Sequence, residues 1–444
     1  MSHAIIGSAY VFQFIYIDSY GDFQLPCVPS ASFGHSWCII KVPALFFNMQ
    51  SFSVLLRAVL LATVTSVSAS SFLRIPLTKL APPSSYLAGL PDADRTRAAF
   101  LKNYASGGPT TVPASNLAYV QYTTSVGVGS PPTYYNLVVD TGSSNTFVGT
   151  GKTYVQTSTS IFTGEDVNVT YGSGYFSGLE YLDQVTLAPG FVITNQSIGD
   201  ALSYADFEGV DGIVGVGPVI LTEGTLSPST DELIPTVMNN ALSQGLITEE
   251  ILGVSFAPAT SYNDTNGALT YGGIDSSLYT GEITYTPVTA TYPAGYYWGV
   301  NVTDATYGST TTVIPTSTAG IVDTGTTLIL LADNFFESYL RAIPGAKLDE
   351  STGLMTVPES SVSKIEPLNF TIGGTVFSLD AAAQLIPIDQ NTAWGLSANT
   401  QYGLVSYLGT NSGEGLDFII GQKFMEKYYA VFDTDSDRVG FAYT

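Results

Sequence analysis

From about residue 115 to the end of the chain, hydrophobic positions fall in short runs broken by Gly, Pro, Asn and Asp. Tyr119 to Val126 and Tyr135 to Val139 are two such runs, and their length and β-branched or aromatic content predict strands. Helical spacing is rare. Ser229 to Gln244 is the clearest case: Ser229 and Glu232 form a capping-box pattern, and Ile234, Val237, Met238 and Leu242 mark one face. A second helix is expected over about 332–343, with Phe335, Phe336, Tyr339 and Leu340 apolar. The pattern predicts a mostly β protein.

The pattern also repeats. Leu137-Val138-Val139-Asp140-Thr141-Gly142-Ser143-Ser144 returns as Gly320-Ile321-Val322-Asp323-Thr324-Gly325-Thr326-Thr327. Each copy is followed, later in its half, by an apolar-apolar-Gly segment: Gly212-Ile213-Val214-Gly215 and Phe418-Ile419-Ile420-Gly421. Each of these strands is expected to lie beside the Asp-bearing strand of its own half. Two facing halves would then bring one aspartate each to a shared cleft, with the boundary near 280–300. Neighbouring carboxyls cannot both ionise cheaply, so they share a proton, and such a pair suits acid–base chemistry at low pH. Gly142 and Gly325 let backbone N–H groups approach the carboxylates. Thr141 and Thr324 can brace one loop against its twin, and Ser143 and Thr326 can donate to the aspartate three residues before them.

Composition narrows the chemistry. Both cysteines, Cys27 and Cys38, and both histidines, His3 and His35, precede Met49. A chain starting beyond Met49 has no Ser–His–Asp triad, no thiol nucleophile, no His or Cys metal ligand and no disulfide. Neither cofactor nor metal is expected. The net charge of −23 argues against nucleic acid.

The amino-terminal part reads as processing segments. Met49 to Arg57, the apolar Ala58 to Val64 and the small-residue site Val67-Ser68-Ala69 have the layout of a secretory signal peptide. The expected organisation is a gene-model extension at 1–48, a signal peptide at 49–69 and a basic pro-segment at 70–104. A first lobe follows at 105–290 and a second at 291–444. The pro-segment carries Arg74, Lys79, Arg95, Arg97 and Lys102 against Asp92 and Asp94, whereas the chain from Ala105 onward is strongly acidic. A basic leader on an acidic body suggests a segment held electrostatically and released as carboxylates protonate. Gly107-Gly108-Pro109 marks an exposed junction, and Asn168, Asn195, Asn263, Asn301 and Asn369 head N-x-S/T sequons.

These residues resemble the pepsin-like aspartic endopeptidases, over about 115–444, and within them secreted fungal enzymes of the polyporopepsin type. The resemblance implies a bilobal acid-protease fold of two pseudo-symmetric β lobes, with Asp140 and Asp323 as the catalytic pair. Val169-Thr170-Tyr171-Gly172-Ser173-Gly174 is similar to the flap hairpin, which makes Tyr171, Gly172 and Ser173 substrate contacts. Phe147, Val210 and Ile213 are expected at the S1 pocket. Phe147 stands where the family usually has Trp. Ser173 in place of an acidic residue implies hydrophobic P1 and P1′ preference. Lys102-Asn103-Tyr104 resembles the lysine and tyrosine that block the dyad in zymogens. The implied partners are polypeptide substrates and pepstatin-type inhibitors, with a monomer, no stable membrane association and a secreted, extracellular location, the vacuole being the alternative. A non-catalytic binding relative of the same fold is the competing reading, and a two-carboxylate glycosidase is disfavoured because repeated loops predict equivalent carboxylates.

Overall fold

A computed structural model describes residues 72–79, 90–105, 122–171, 174–207, 209–258, 266–392 and 395–444, and the backbone of five short strands between Ile5 and Ile39. The chain divides into two compact units, Met1–Ala69 and Ser70–Thr444. In the first, Ile5–Ser8 pairs with Val11–Phe14, and Tyr16–Ile17, Phe23–Pro26 and Trp37–Ile39 form a three-stranded sheet. The signal-peptide segment, the 107–109 junction, Gly172, Ser173, Asn263 and the Tyr104 side chain lie outside the described residues.

The second unit is mostly β. One sheet of fourteen strands begins in the first half, where Ile161–Thr170, Tyr175–Ala188 and Phe191–Ala205 form long antiparallel pairs. It continues through Phe147–Val148, Gly212–Gly215, Thr133–Asp140 and Tyr122–Val128. Next comes the leader strand Leu73–Lys79, paired on one side with Tyr122–Val128 and on the other with Gly267–Tyr271. The sheet ends in strands from both halves: Ile251–Ser255 pairs with Tyr428–Asp433, and Arg438–Tyr443 pairs with Thr280–Pro287. The second half has its own sheet, in the order Thr375–Leu379, Leu368–Ile372, Gly299–Tyr307, Thr318–Val322, Phe418–Ile420, Ile329–Leu331 and Val405–Tyr407.

The expected strand pairs are present. Gly212–Gly215 runs parallel to Thr133–Asp140, with Gly215 opposite Asp140. Phe418–Ile420 runs parallel to Thr318–Val322, with Ile420 opposite Val322. Leu137, Val138 and Val139 are all buried, as are Ala319, Ile321 and Val322. A strand covered on both faces needs apolar residues at successive positions, which explains the unbroken apolar runs before each aspartate.

The helices agree less evenly. Asp333–Ala342 matches the second expected helix and buries Phe335, Phe336 and Tyr339. The first is shorter than expected, Val237–Ser243. Its capping box is made by Thr236 and Asn239, while the Ser229 hydroxyl donates to Glu165 at 2.8 Å. Pro235 disfavours helical backbone at Ile234 and stops the helix from extending back to Ser229.

Candidate active site

The two Asp-Thr-Gly loops meet at the ends of their strands. The backbone N–H of Thr141 donates to Thr324 Oγ1 at 2.9 Å, and the N–H of Thr324 donates to Thr141 Oγ1 at 2.9 Å. Each hydroxyl then donates onward, Thr324 Oγ1 to Val139 O at 2.8 Å and Thr141 Oγ1 to Val322 O at 3.3 Å. Four reciprocal hydrogen bonds thus join the halves in a buried setting, where an unmade partner is costly.

Each carboxylate is held by its own loop. Asp140 accepts from Gly142 N–H at 2.9 Å and Ser143 Oγ at 2.6 Å. Asp323 accepts from Gly325 N–H at 3.0 Å and Thr326 Oγ1 at 2.5 Å. The glycines are also required by the opposite half. A Cβ on Gly142 would stand 2.6 Å from Asp323 Oδ1, and one on Gly325 would stand 2.6 Å from Asp140 Oδ1.

Arg97, on the leader helix Leu90–Ala105, lies between the two aspartates. Its Nε donates to Asp323 Oδ2 at 2.6 Å, and its Nη2 donates to Asp323 Oδ1 at 2.9 Å and Asp140 Oδ1 at 2.6 Å. One nitrogen therefore touches both carboxylates, so the two face a common point. Burial pushes both carboxyls up. At Asp323 the Arg97 guanidinium and the loop donors outweigh burial and hold it below the ordinary range. At Asp140 burial and the neighbouring Asp323 charge prevail over Arg97, and the carboxyl stays above that range.

The same helix places Asp94 against the second loop. Its carboxylate accepts from Leu328 N–H at 2.8 Å and Thr327 N–H at 3.3 Å. Burial raises it to about 7, against the pull of those two N–H groups. Lys102 does not reach the aspartates. Its ammonium donates to Thr410 Oγ1 and, at 3.1 Å, to Glu414 Oε2. It is Arg97, not the expected Lys102, that contacts both aspartates, because Arg97 lies on the helix face that carries Leu90, Asp94 and Leu101 and Lys102 does not.

The match to known proteins follows this geometry. The family model described as eukaryotic aspartyl protease matches residues 121–444. The chain belongs to the eukaryotic aspartyl proteases. Polyporopepsin of Irpex lacteus is 55% identical over 334 residues, covering 75% of this chain and 97% of its own. Pepsin A of Suncus murinus is 28% identical, covering 74% of this chain and 82% of its own. The crystal structure of the Irpex lacteus aspartic proteinase superposes with a TM-score of 0.72 at 48% identity, covering 84% of this chain and 97% of that one. The fold is the pepsin-like bilobal one and the activity is that of an aspartic endopeptidase.

In this protease the remaining expected residues that the structure describes also gather. Tyr171, Phe147, Val210 and Ile213 share one buried cluster with Phe176 and Phe207. The Phe147 ring stacks on Phe176 at 4.0 Å and lies 5.7 Å from Tyr171, while Phe207 meets Tyr171 edge-on at 5.6 Å. Tyr171 is thus seated among rings, where Phe147 has no N–H to offer it. Phe176 and the contacts of Arg97 and Asp94 lie beyond what the repeat alone predicts. The signal for the latter was present: Leu90, Asp94, Arg97 and Leu101 fall at helical spacing on one stripe, so two charges interrupt an apolar face.

Proposed function

We propose that the protein is a secreted endopeptidase made as a zymogen, active at acidic pH, with Asp140 and Asp323 as its catalytic pair. The observation that carries this is the single Arg97 nitrogen bonded to both carboxylates, since a group able to touch both marks where a reacting atom can sit. With the leader displaced, the ionised carboxyl takes a proton from water as that water attacks the scissile carbonyl. The protonated carboxyl gives its proton to the carbonyl oxygen. The resulting gem-diol collapses with a proton passed to the amide nitrogen, and no bond to the enzyme forms. Thr141, Gly142, Ser143, Thr324, Gly325 and Thr326 hold the pair in place. Tyr171 closes over the substrate with Gly172 and Ser173. The apolar Phe147, Val210 and Ile213 favour hydrophobic P1 and P1′ side chains.

The zymogen reading is supported by the leader itself. It adds a strand to the sheet, and its arginine fills the space between the aspartates. The ion pair needs Asp323 ionised. Because Arg97 depresses that carboxyl, its contribution is present above the undocked value and is lost as pH falls through the docked one. Arg74 acts with the same sign at Asp275, which is held low by Ser277 and by Arg74 at 3.2 Å. Carbohydrate on the secretory route is expected at the exposed Asn168 and Asn195. It is not expected at Asn369, whose amide donates to Thr306 and Gly308 and accepts from Ser378.

The test is cleavage of an unfolded protein by the processed chain across pH 3–7, with and without pepstatin. Pepstatin-sensitive cleavage at acidic pH is expected, with Asp323→Asn lowering kcat by at least about 10³-fold while the fold persists. Retained activity in that variant would sink the dyad assignment.

A further inference from the structure

The leader helix also samples a second charged position on the body. Lys102 is buried to 8% exposure, and its ammonium is held by Thr410 and by Glu414. The turn that presents Glu414 is built rather than loose. The buried Asp417 carboxylate accepts from Gly413 N–H at 2.9 Å, from Glu414 N–H at 3.2 Å and from the Thr318 hydroxyl. Close by, the Tyr297 hydroxyl donates to the Leu101 carbonyl at 2.9 Å, so backbone as well as side chain is gripped there. Glu414 itself remains half exposed and borders an open pocket of about 560 Å³ that also includes Tyr292, Asn301 and Thr318.

The position relative to the aspartates sets what else can reach this turn. Lys102 lies five helical steps beyond Arg97, a rise of about 7.5 Å. An extended peptide advances about 3.3 Å per residue. A peptide crossing between Asp140 and Asp323 therefore brings a side chain two or three positions from its scissile bond within range of Glu414. The leader is then a guide to the cleft's preferences: where it places an ammonium, a substrate ammonium is stabilised by the same oxygens.

We propose that Glu414, with Thr410, forms a subsite for a cationic side chain, and that the processed protease selects Lys or Arg at one position two or three residues from the scissile bond. This adds to the hydrophobic preference at P1 and P1′ and leaves it unchanged. It rests on the leader occupying the peptide-binding cleft. The subsite is a point charge beside a hydroxyl on a partly exposed turn, so it discriminates cation from neutral side chain without fixing the length of the stem.

The experiment uses the processed full-length enzyme and a peptide set with a fixed hydrophobic cleavage pair. Lys replaces norleucine singly at each of three positions on either side, at pH 5.5. At one position kcat/KM for Lys is expected to exceed that for norleucine by about three- to fivefold, the range of a partly exposed ion pair. Glu414→Gln brings that ratio close to one, and Glu414→Lys brings it below one at the same position. Equal rates at all six positions overturn the proposal, as does a Lys preference that survives in Glu414→Gln. A Glu414→Gln effect confined to the pH of leader release, with the peptide profile unchanged, also overturns it, since Glu414 then serves the leader alone. Loss of cleavage across the entire peptide set would instead refute the cleft assignment.

Discussion

The two aspartate loops are nearly the same object, yet their surroundings are not. Each carboxylate takes one glycine N–H and one hydroxyl, and the two threonines exchange matching bonds. The first half carries a cage of rings: Phe147, Phe176 and Phe207 about Tyr171. Around Asp323 the second half supplies the seat of the leader helix. Two of the three short Arg97 bonds go to Asp323, Asp94 bonds Thr327 and Leu328, and Leu101 shares a buried cluster with Leu330, Leu404 and Leu416. The proposed chemistry requires two equal carboxylates, which accounts for the symmetry of the repeat there. Covering substrate and seating the leader are, on the same proposal, single tasks, which accounts for the difference between the halves.

The largest expected effect comes from removing the arginine that spans the two loops. Arg97→Met keeps the stem and deletes the charge. Breaking a buried ion pair costs about 3–5 kcal/mol, partly recovered here because the freed aspartates can share a proton. The unprocessed chain should then bind pepstatin and cleave peptides at mildly acidic pH, where the proposed zymogen is latent. If Arg97→Met stays as latent as the parent, the leader is held by its apolar face and its strand, and the charge contrast between the halves means little.

A smaller effect, with opposite sign in pH, is expected at Asp94. In a free leader its carboxyl has the ordinary value, whereas docked it is raised to about 7 by burial. Docking therefore takes up a proton. The Asp94 contribution is fully present below the ordinary carboxylate range and is lost as pH rises through about 7. Arg97 with Asp323 loses its contribution on the acid side, so the leader should be held best between the two limits. Hydrogen exchange of the 90–105 helix in the unprocessed chain should show least opening at mildly acidic pH. Asp94→Asn should flatten the alkaline limb, which carries at most about tenfold per pH unit, and leave the acid limb as it was. An unchanged alkaline limb would assign that loosening to another group.

How much of this was legible in the chain follows the same division. Asp140, Asp323, their threonines and their hydroxyl donors could be read because the repeat writes each one twice. The parallel apolar-apolar-Gly strands were legible because a strand buried on both faces shows as an unbroken apolar run. The helix starts at Val237 rather than after Ser229, because a cap pattern says nothing about Pro235 six residues on. Arg97 was hidden for a different reason. A basic residue on a leader helix has many acidic neighbours to choose from in this protein, and only the docked helix face decides between Arg97 and Lys102.

The smallest effect concerns the first half and tests whether its cage of rings is what seats Tyr171, the proposed flap tyrosine. Phe147 is fully buried, stacked on Phe176 at 4.0 Å and set edge-on to Phe207 at 5.2 Å. Phe147→Trp restores an N–H donor but adds a second ring to a filled space. Overpacking of this kind costs about 1–3 kcal/mol, and a hydrogen bond to Tyr171 would return about 1 kcal/mol. A net loss of about 1 kcal/mol is therefore expected in the denaturant midpoint, with KM changing more than kcat if Tyr171 touches substrate as proposed. A gain in stability with KM unchanged would mean the cage has room for an indole. The phenylalanine would then be incidental, and the first half would lose its claim to a ring-built flap seat.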